Sequence, residues 1–441
     1  MKTTTRQLNV FAVGLDKFNL KLLQRVRHPE RYEFHGLLDY DRIVSAKRFD
    51  MEALLDEARQ QLDAFDGPID AIVGYWDFPT VAMMAVLRRE YGLRGPSLES
   101  VLRCDHKFWS RSIQREVVPD MIPEFAAVDP WDEQSGGYPE TPLDFPFWMK
   151  PVKAHSSILG FKINDRQQFE EAIQRTRRGL KRFAEPFDVL LSYADLPPSI
   201  DEMGGWACIA EGLISKGNQC TLEGYVFEGD VVIYGIVDSL RGPNGSSFHA
   251  YQYPSRLSES VRDKMCQAAT SVIERIELDD TPFNIEFYHH EKDDSIHLLE
   301  INARISKSHS PLFNKVEGVP HKEVMLDVAL GKRPDYPTRN GDYQFAAKFM
   351  PRIYDPDDSD VIQSLPSESE LRAVEESIDG VEIQLLIDEG TPFGESSHRD
   401  SYSVEIANIF VGASSPDELH DKFQSVLDTL KLQAASGAPI E

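Results

Sequence analysis

Cysteine is scarce in this chain: four residues among 441, Cys104, Cys208, Cys220 and Cys266, none at the two-residue spacing of a zinc knuckle or redox pair. That usage fits a reduced compartment. Positive charge is also short, with 47 Lys plus Arg against 73 Asp plus Glu for a formal net charge of −26. Such a balance repels phosphate backbones and anionic membrane surfaces, so neither nucleic acid nor membrane is an expected partner. No apolar run approaches the roughly 20 residues of a membrane span, and residues 1–10 carry charged and polar groups where a signal peptide needs an apolar core. A cytoplasmic location is the expectation. Spaced glycines are missing from the first β-α turn, which has Gly14 alone, so NAD and FAD are not expected.

What is present is a globular composition, 41% hydrophobic and 10% aromatic, over a length that predicts two to four domains at roughly 100 to 200 residues each. Residues 8–14 (LNVFAVG) form an apolar run, and Phe18, Leu22, Leu23 and Val26 follow on one helical face. The alternation repeats at 34–38, 53–62, 70–75 and 81–91, which predicts a small parallel sheet with helices. Turn formers fill 131–144, and the bulky strand FPFWMKPV (145–152) opens a new unit. A polar helix is predicted over 165–180, an exposed loop over 192–205, and strands over 207–215, 219–228 and 230–238 with a hairpin turn at 228–230. A long helix over 258–276 precedes two strands that flank the polar segment 289–295, and a helix over 416–432 closes the chain. The acidic run 355–360 (DPDDSD) reads as a solvated loop.

The segment 282–304, PFNIEFYHHEKDDSIHLLEINAR, carries the most chemistry. Period-two alternation puts Asn284, Glu286 and Tyr288 on one face of its first strand, and Leu298, Glu300 and Asn302 together on its second. A hairpin centred on Asp293 sets Glu286 opposite Glu300, where like charges repel unless a hard divalent cation reverses the sign. The amide oxygen of Asn302 completes an oxygen ligand set that suits Mg²⁺; solvated acids at a sheet edge are the plain alternative. Lys150, inside an apolar strand, asks for an anion, and the loop HSSILG (155–160) offers the hydroxyls of Ser156 and Ser157 to a polyphosphate. No Ser-His-Asp arrangement or activated cysteine competes with these features.

The order of segments resembles the ATP-grasp superfamily: CDHK (104–107) with Arg111 and IPEF (122–125), then FPFWMKPV, IAEGLI (209–214) with TLEGYV (221–226), and LLEINAR (298–304). The resemblance spans about residues 5 to 430. It implies an α/β and α+β multidomain chain: a Rossmann-like domain over 1–104, an ATP-grasp small lobe and lid over 105–215, a large lobe with the metal site over 216–338, and a C-terminal α+β region packed on it over 339–441. By position, Lys107 and Lys150 match the cations that hold ATP phosphates. Glu211 and Ile214 match the adenine hinge, and Gln219 falls at the ribose position, where many members have Glu. Glu286, Glu300 and Asn302 match the ligands of one or two Mg²⁺ ions, with Mn²⁺ as a substitute. Arg304 matches the arginine beside the transferred phosphate and acyl group, with Lys150 as its catalytic companion. Ser308, His309 and Arg241 are candidates for substrate contact, and a plain loop or turn is the alternative at each. The lid loop departs from the family in having one glycine, Gly160.

The implied activity is phosphoryl transfer from ATP to a small carboxylate, such as an amino acid, followed by capture with an amine and release of ADP and phosphate. Residues 343–432 look like the C-terminal region of amino-acid and dipeptide ligases related to biotin carboxylase. Biotin-carboxylase-like carboxylation and a silent ATP-binding sensor or scaffold stay as alternatives, and relatives make a homodimer a reasonable assembly.

Overall fold

A computed structural model of the protein describes residues 6–46, 48–133, 143–154, 158–215, 217–400 and 402–440. The apolar runs near the N-terminus become β1 (Leu8–Val13), β2 (Tyr32–Leu37) and β3 (Ala71–Val73), a parallel sheet of order β2-β1-β3. Helices Lys17–Leu23, Met51–Asp63 and Thr80–Glu90 alternate with them. Gly14 ends β1 at φ +62°, and a Cβ there would lie 3.2 Å from the Trp76 indole, whose Nε1 donates to the Gly14 carbonyl at 2.9 Å.

The second unit is a four-stranded antiparallel sheet of β4 (Phe125–Val128), β5 (Phe147–Pro151), β6 (Phe161–Ile163) and β7 (Cys208–Gly212), in the order β4-β7-β5-β6. On β5, Phe147 and Met149 are fully buried against Phe169 and Ile173 of helix Arg166–Gly179, while Trp148 and Lys150 face the other way. Period-two alternation thus turns a charged side chain out of an apolar strand. Residues 192–205 depart from the expected loop: Pro198–Met203 is helical, Ile200 is buried, and Asp188 accepts from Gly205 N and Trp206 Nε1.

The third unit begins with β8 (Asn218–Phe227), β9 (Asp230–Arg241) and β10 (Phe248–Tyr253), and continues through β11 (Thr281–His290) and β12 (Ser295–Asn302). After it come β13 (Phe345–Phe349), β14 (Arg352–Tyr354), β15 (Val381–Leu385), β16 (Ser403–Glu405) and β17 (Ala407–Ala413). One eight-stranded sheet runs β12-β11-β8-β9-β10-β13-β17-β15, and β14 pairs with β16. The C-terminal region is therefore hydrogen-bonded into the sheet of the large lobe through β10 and β13, a closer union than packing upon it. Helix Glu259–Ile276 buries Val261, Met265, Val272 and Ile273, and Val10, Ile72 and Leu87 share one apolar core with Phe283, Ile285 and Phe287 of β11. Among the described residues no helix is long and apolar enough to cross a membrane.

Candidate active site

The site is built first on the hairpin β11–β12. Glu286 pairs with Glu300 and Asn284 with Asn302, and a bulge follows Glu286. Gln219 of β8 donates from Nε2 to Glu286 Oε2 at 2.7 Å, and its own Oε1 accepts from Arg241. Arg241 also meets the Tyr288 hydroxyl at 3.3 Å and lies 3.8 Å over the Phe248 ring, so it braces Gln219. Burial and the facing Glu300 push the Glu286 carboxyl up to about 7. Glu300 is buried too, which acts upward, but Lys107 Nζ at 3.4 Å holds it below the ordinary range. Arg304 and Arg241 act downward on Glu286 without offsetting its burial and the facing carboxylate, and Lys150 and Lys153 add to Lys107 at Glu300.

Asn302 donates from Nδ2 to Asn284 Oδ1 at 3.0 Å, which leaves its amide oxygen toward Arg304 Nη2 at 3.5 Å. Two facing carboxylates and an amide oxygen are a donor set a hard divalent ion fits. Among the described residues no group of three or more His, Cys, Asp or Glu is placed to hold a metal ion, so the candidate set rests on two carboxylates and one amide oxygen.

The cations arrive from the smaller sheet and the helix beside it. Lys107 is the first residue of helix Lys107–Val117, whose N-cap His106 accepts from Trp109 N through Nδ1 at 3.3 Å. A lysine in a first helical turn opposes the macrodipole, and the two together favour an anion in front of them. Its Nζ donates to the Ala154 carbonyl at 3.0 Å. Lys150 Nζ lies 2.6 Å from Glu211 Oε2, and Arg111 Nε donates to Glu211 Oε1 at 2.6 Å. Burial acts upward on Glu211, yet Arg111 and Lys150 bring it down to about 2. Arg111 also donates to the carbonyls of Leu298 and Leu299, each at 2.9 Å, and so ties β7 to β12. Ile214 follows β7 and is buried. Ser156 and Ser157 lie outside the described residues.

Sequence reasoning missed three groups. Lys153 Nζ sits 2.9 Å from Asp105 Oδ1 and 3.6 Å from Asp77 Oδ1, and Asp77 Oδ2 is 3.2 Å from Arg304 Nη2. Burial pulls Lys153 down, and Asp105 with Asp77 outweighs it to leave the lysine raised; Asp77 is held low by Lys153 and Arg304 against its own burial. The relay ends on Asn302, so it aims Arg304 at the metal face. The signals were present: a second lysine three residues after Lys150, and an acid just beyond the carboxyl end of the parallel strand β3.

Of the remaining candidates, Ser308 lines a cleft of about 660 Å³ between the N-terminal and C-terminal units. His309 does not line it: it is 2% exposed, with Nδ1 2.7 Å from Glu223 Oε1, because β8 sets that buried carboxylate beneath the loop. Arg241 lies outside the cleft, although Phe248, over which it stacks, forms part of the wall.

Comparison with known proteins matches residues 143–311 to the family described as "ATP-grasp domain". The crystal structure of an L-amino acid ligase from Bacillus licheniformis is similar with a TM-score of 0.72 at 17% identity, over 98% of this chain and 99% of that one. A biotin carboxylase from Campylobacter jejuni gives 0.65 at 14% identity, over 98% and 93%. An N5-carboxyaminoimidazole synthase from Aspergillus clavatus gives 0.60 at 13%, over 97% and 99%. At such identities the likeness is one of fold. The curated urea amidolyase of Lachancea kluyveri is 25% identical over 331 residues, which are 74% of this chain and 17% of that protein. The chain spans about a sixth of that relative's length.

Proposed function

We propose that the chain, whose residues 143–311 match the family described as "ATP-grasp domain", is an ATP-dependent carboxylate-amine ligase that activates a small carboxylate as an acyl phosphate. The observation that carries this reading is the convergence of Glu286, Glu300 and Asn302 with Lys107 and with the Asp77-held Arg304. Such an arrangement positions a polyphosphate and neutralises charge that develops in transfer, which is most of what phosphoryl-transfer catalysis requires.

Lys107 and Lys150 hold the ATP phosphates from two sides, and the strand end from Glu211 to Ile214 borders adenine. The Glu211 side chain is committed to Lys150 and Arg111, so the hinge meets the base through its backbone. Gln219, braced by Arg241, borders the ribose. Mg²⁺, or Mn²⁺ in its place, held by Glu286, Glu300 and Asn302, would supply charge neutralisation and alignment of the phosphates. Arg304 binds the transferred phosphoryl group and the acyl oxygen, and Asp77 fixes its orientation.

A carboxylate oxygen of the acid bonds to the γ-phosphorus as the bond to the β,γ-bridging oxygen breaks, and ADP departs. The amine nitrogen then bonds to the acyl carbon, phosphate leaves, and the nitrogen gives up a proton. No covalent enzyme intermediate is needed. The literal test is isotopic: with the acid labelled by ¹⁸O in its carboxylate, one label must appear in the released phosphate, and unlabelled phosphate would refute the acyl-phosphate route.

A further inference from the structure

The cleft beside Ser308 has a composition that the phosphate site does not explain. The whole chain carries −26, yet this cleft is lined by four basic side chains, Lys17, Lys307, Lys348 and Arg352, against two acids, Asp16 and Glu405. Arg352 is committed to Glu405 at 2.8 Å and Asp400 at 3.1 Å. Lys348 is held loosely, 3.6 Å from the same Glu405 and 3.5 Å from Ser308 Oγ. The Lys307 side chain makes no ion pair or hydrogen bond among the described residues and rests 4.1 Å over the Trp76 ring. Two cations in the cleft are therefore available to an anion, the exposed Lys17 at its rim and Lys307 within, with Lys348 close behind.

The walls are aromatic on two sides. Tyr40 meets Trp76 edge-on at 5.3 Å from the N-terminal unit, and Phe248 meets Tyr251 at 5.3 Å from β10. Aromatic side chains lining a concave site favour another ring, and a volume of about 660 Å³ suits a molecule of amino-acid to dipeptide size. The cleft also adjoins the phosphate site through the chain itself: Trp76 precedes Asp77, and Lys307 lies three residues beyond Arg304.

Resting on the ligase reading, we propose that the acid this protein activates has an aromatic body, seated between the ring pairs with its carboxylate on Lys307 beside Arg304. Lys307 is then the residue that selects an anion at this end, and Trp76 and Tyr251 select the ring.

The test is calorimetric titration of the full chain, with Mg²⁺ and a non-hydrolysable ATP analogue present, using L-phenylalanine, 3-phenylpropanoate, L-alanine and L-glutamate. The two phenyl acids should bind at least about tenfold more tightly than the others. Lys307→Met should erase about tenfold or more of that binding, while Lys307→Arg keeps it within about threefold. Equal binding of alanine or glutamate, or an unchanged Lys307→Met, would overturn the assignment. The two readings separate cleanly. ADP release driven by other acids, with no binding of phenyl acids, sinks the aromatic pocket alone. Tight phenyl-acid binding with no ADP release for any amine supports the pocket and sinks ligation.

Discussion

Replacing Glu286 with Gln should make the metal-free protein more stable and at the same time inactive. Glu286 faces Glu300 across the ladder, and the lysine in contact, Lys107, serves Glu300. A carboxyl raised from 4.5 to about 7 holds its proton more tightly in the folded than in the unfolded chain. Its penalty is therefore absent below pH 4.5, grows as pH rises, and is complete above 7. At 1.36 kcal/mol per pH unit the folded protein loses up to about 3 kcal/mol at pH 8. Gln keeps an oxygen for the Gln219 amide at 2.7 Å while the charge disappears. Urea denaturation without metal should show the variant ahead by about 3 kcal/mol at pH 8 and by less than about 1 at pH 5. Added Mg²⁺ should raise the melting temperature of the native chain and leave that of the variant unchanged. A variant less stable than the native chain at pH 8 would make Glu286 a structural acceptor for Gln219 and refute the metal reading.

Three further outcomes follow from the same geometry. Arg111→Met leaves Glu211 buried with Lys150 alone and should lower stability by about 3 to 5 kcal/mol, read by urea denaturation; a loss under about 1 would contradict the bridge. Arg304→Lys cannot reach Asp77 and the reacting group with one fork, so kcat should fall by about a hundredfold or more while the Kd of an ATP analogue stays within about threefold. Burial lowers His106 from 6.5 to about 4, so the unfolded chain takes up a proton first as pH falls, and stability is lost between those values by up to about 3 kcal/mol. His106→Asn keeps a capping oxygen for Trp109 N and removes that loss; parallel stability curves from pH 7 to 4 for the two proteins would refute the argument.

The pairing of Glu286 with Glu300 was legible because two strands of period two meet at a short polar turn, and such a turn fixes the register. The hairpin between β8 and β9 was legible for the same reason, and Glu228 and Gly229 both take positive φ there. What stayed hidden is non-local. Nothing near residue 250 announces that β10 pairs with β13, about a hundred residues later, and so the union of the last region with the large sheet escaped. Asp77 has no charged partner within its own segment; Lys153 and Arg304 reach it from two other units. His309 reads as a loop residue next to the metal strand until β8 supplies Glu223 beneath it. The two prolines at 197 and 198 suggested a loop, but one of them sits at the first helical position, where its missing N–H costs nothing.

The central claim is coupling of ATP cleavage to amide formation, and the most direct measurement is ADP and phosphate release with Mg-ATP over a panel of acids, phenyl acids included, each with and without amines, with products weighed by mass spectrometry. Release that needs both an acid and an amine, with a product lighter by one water than their sum, is the predicted result. ATP cleavage indifferent to both partners, or tight ATP binding with no cleavage under any pairing, would contradict it.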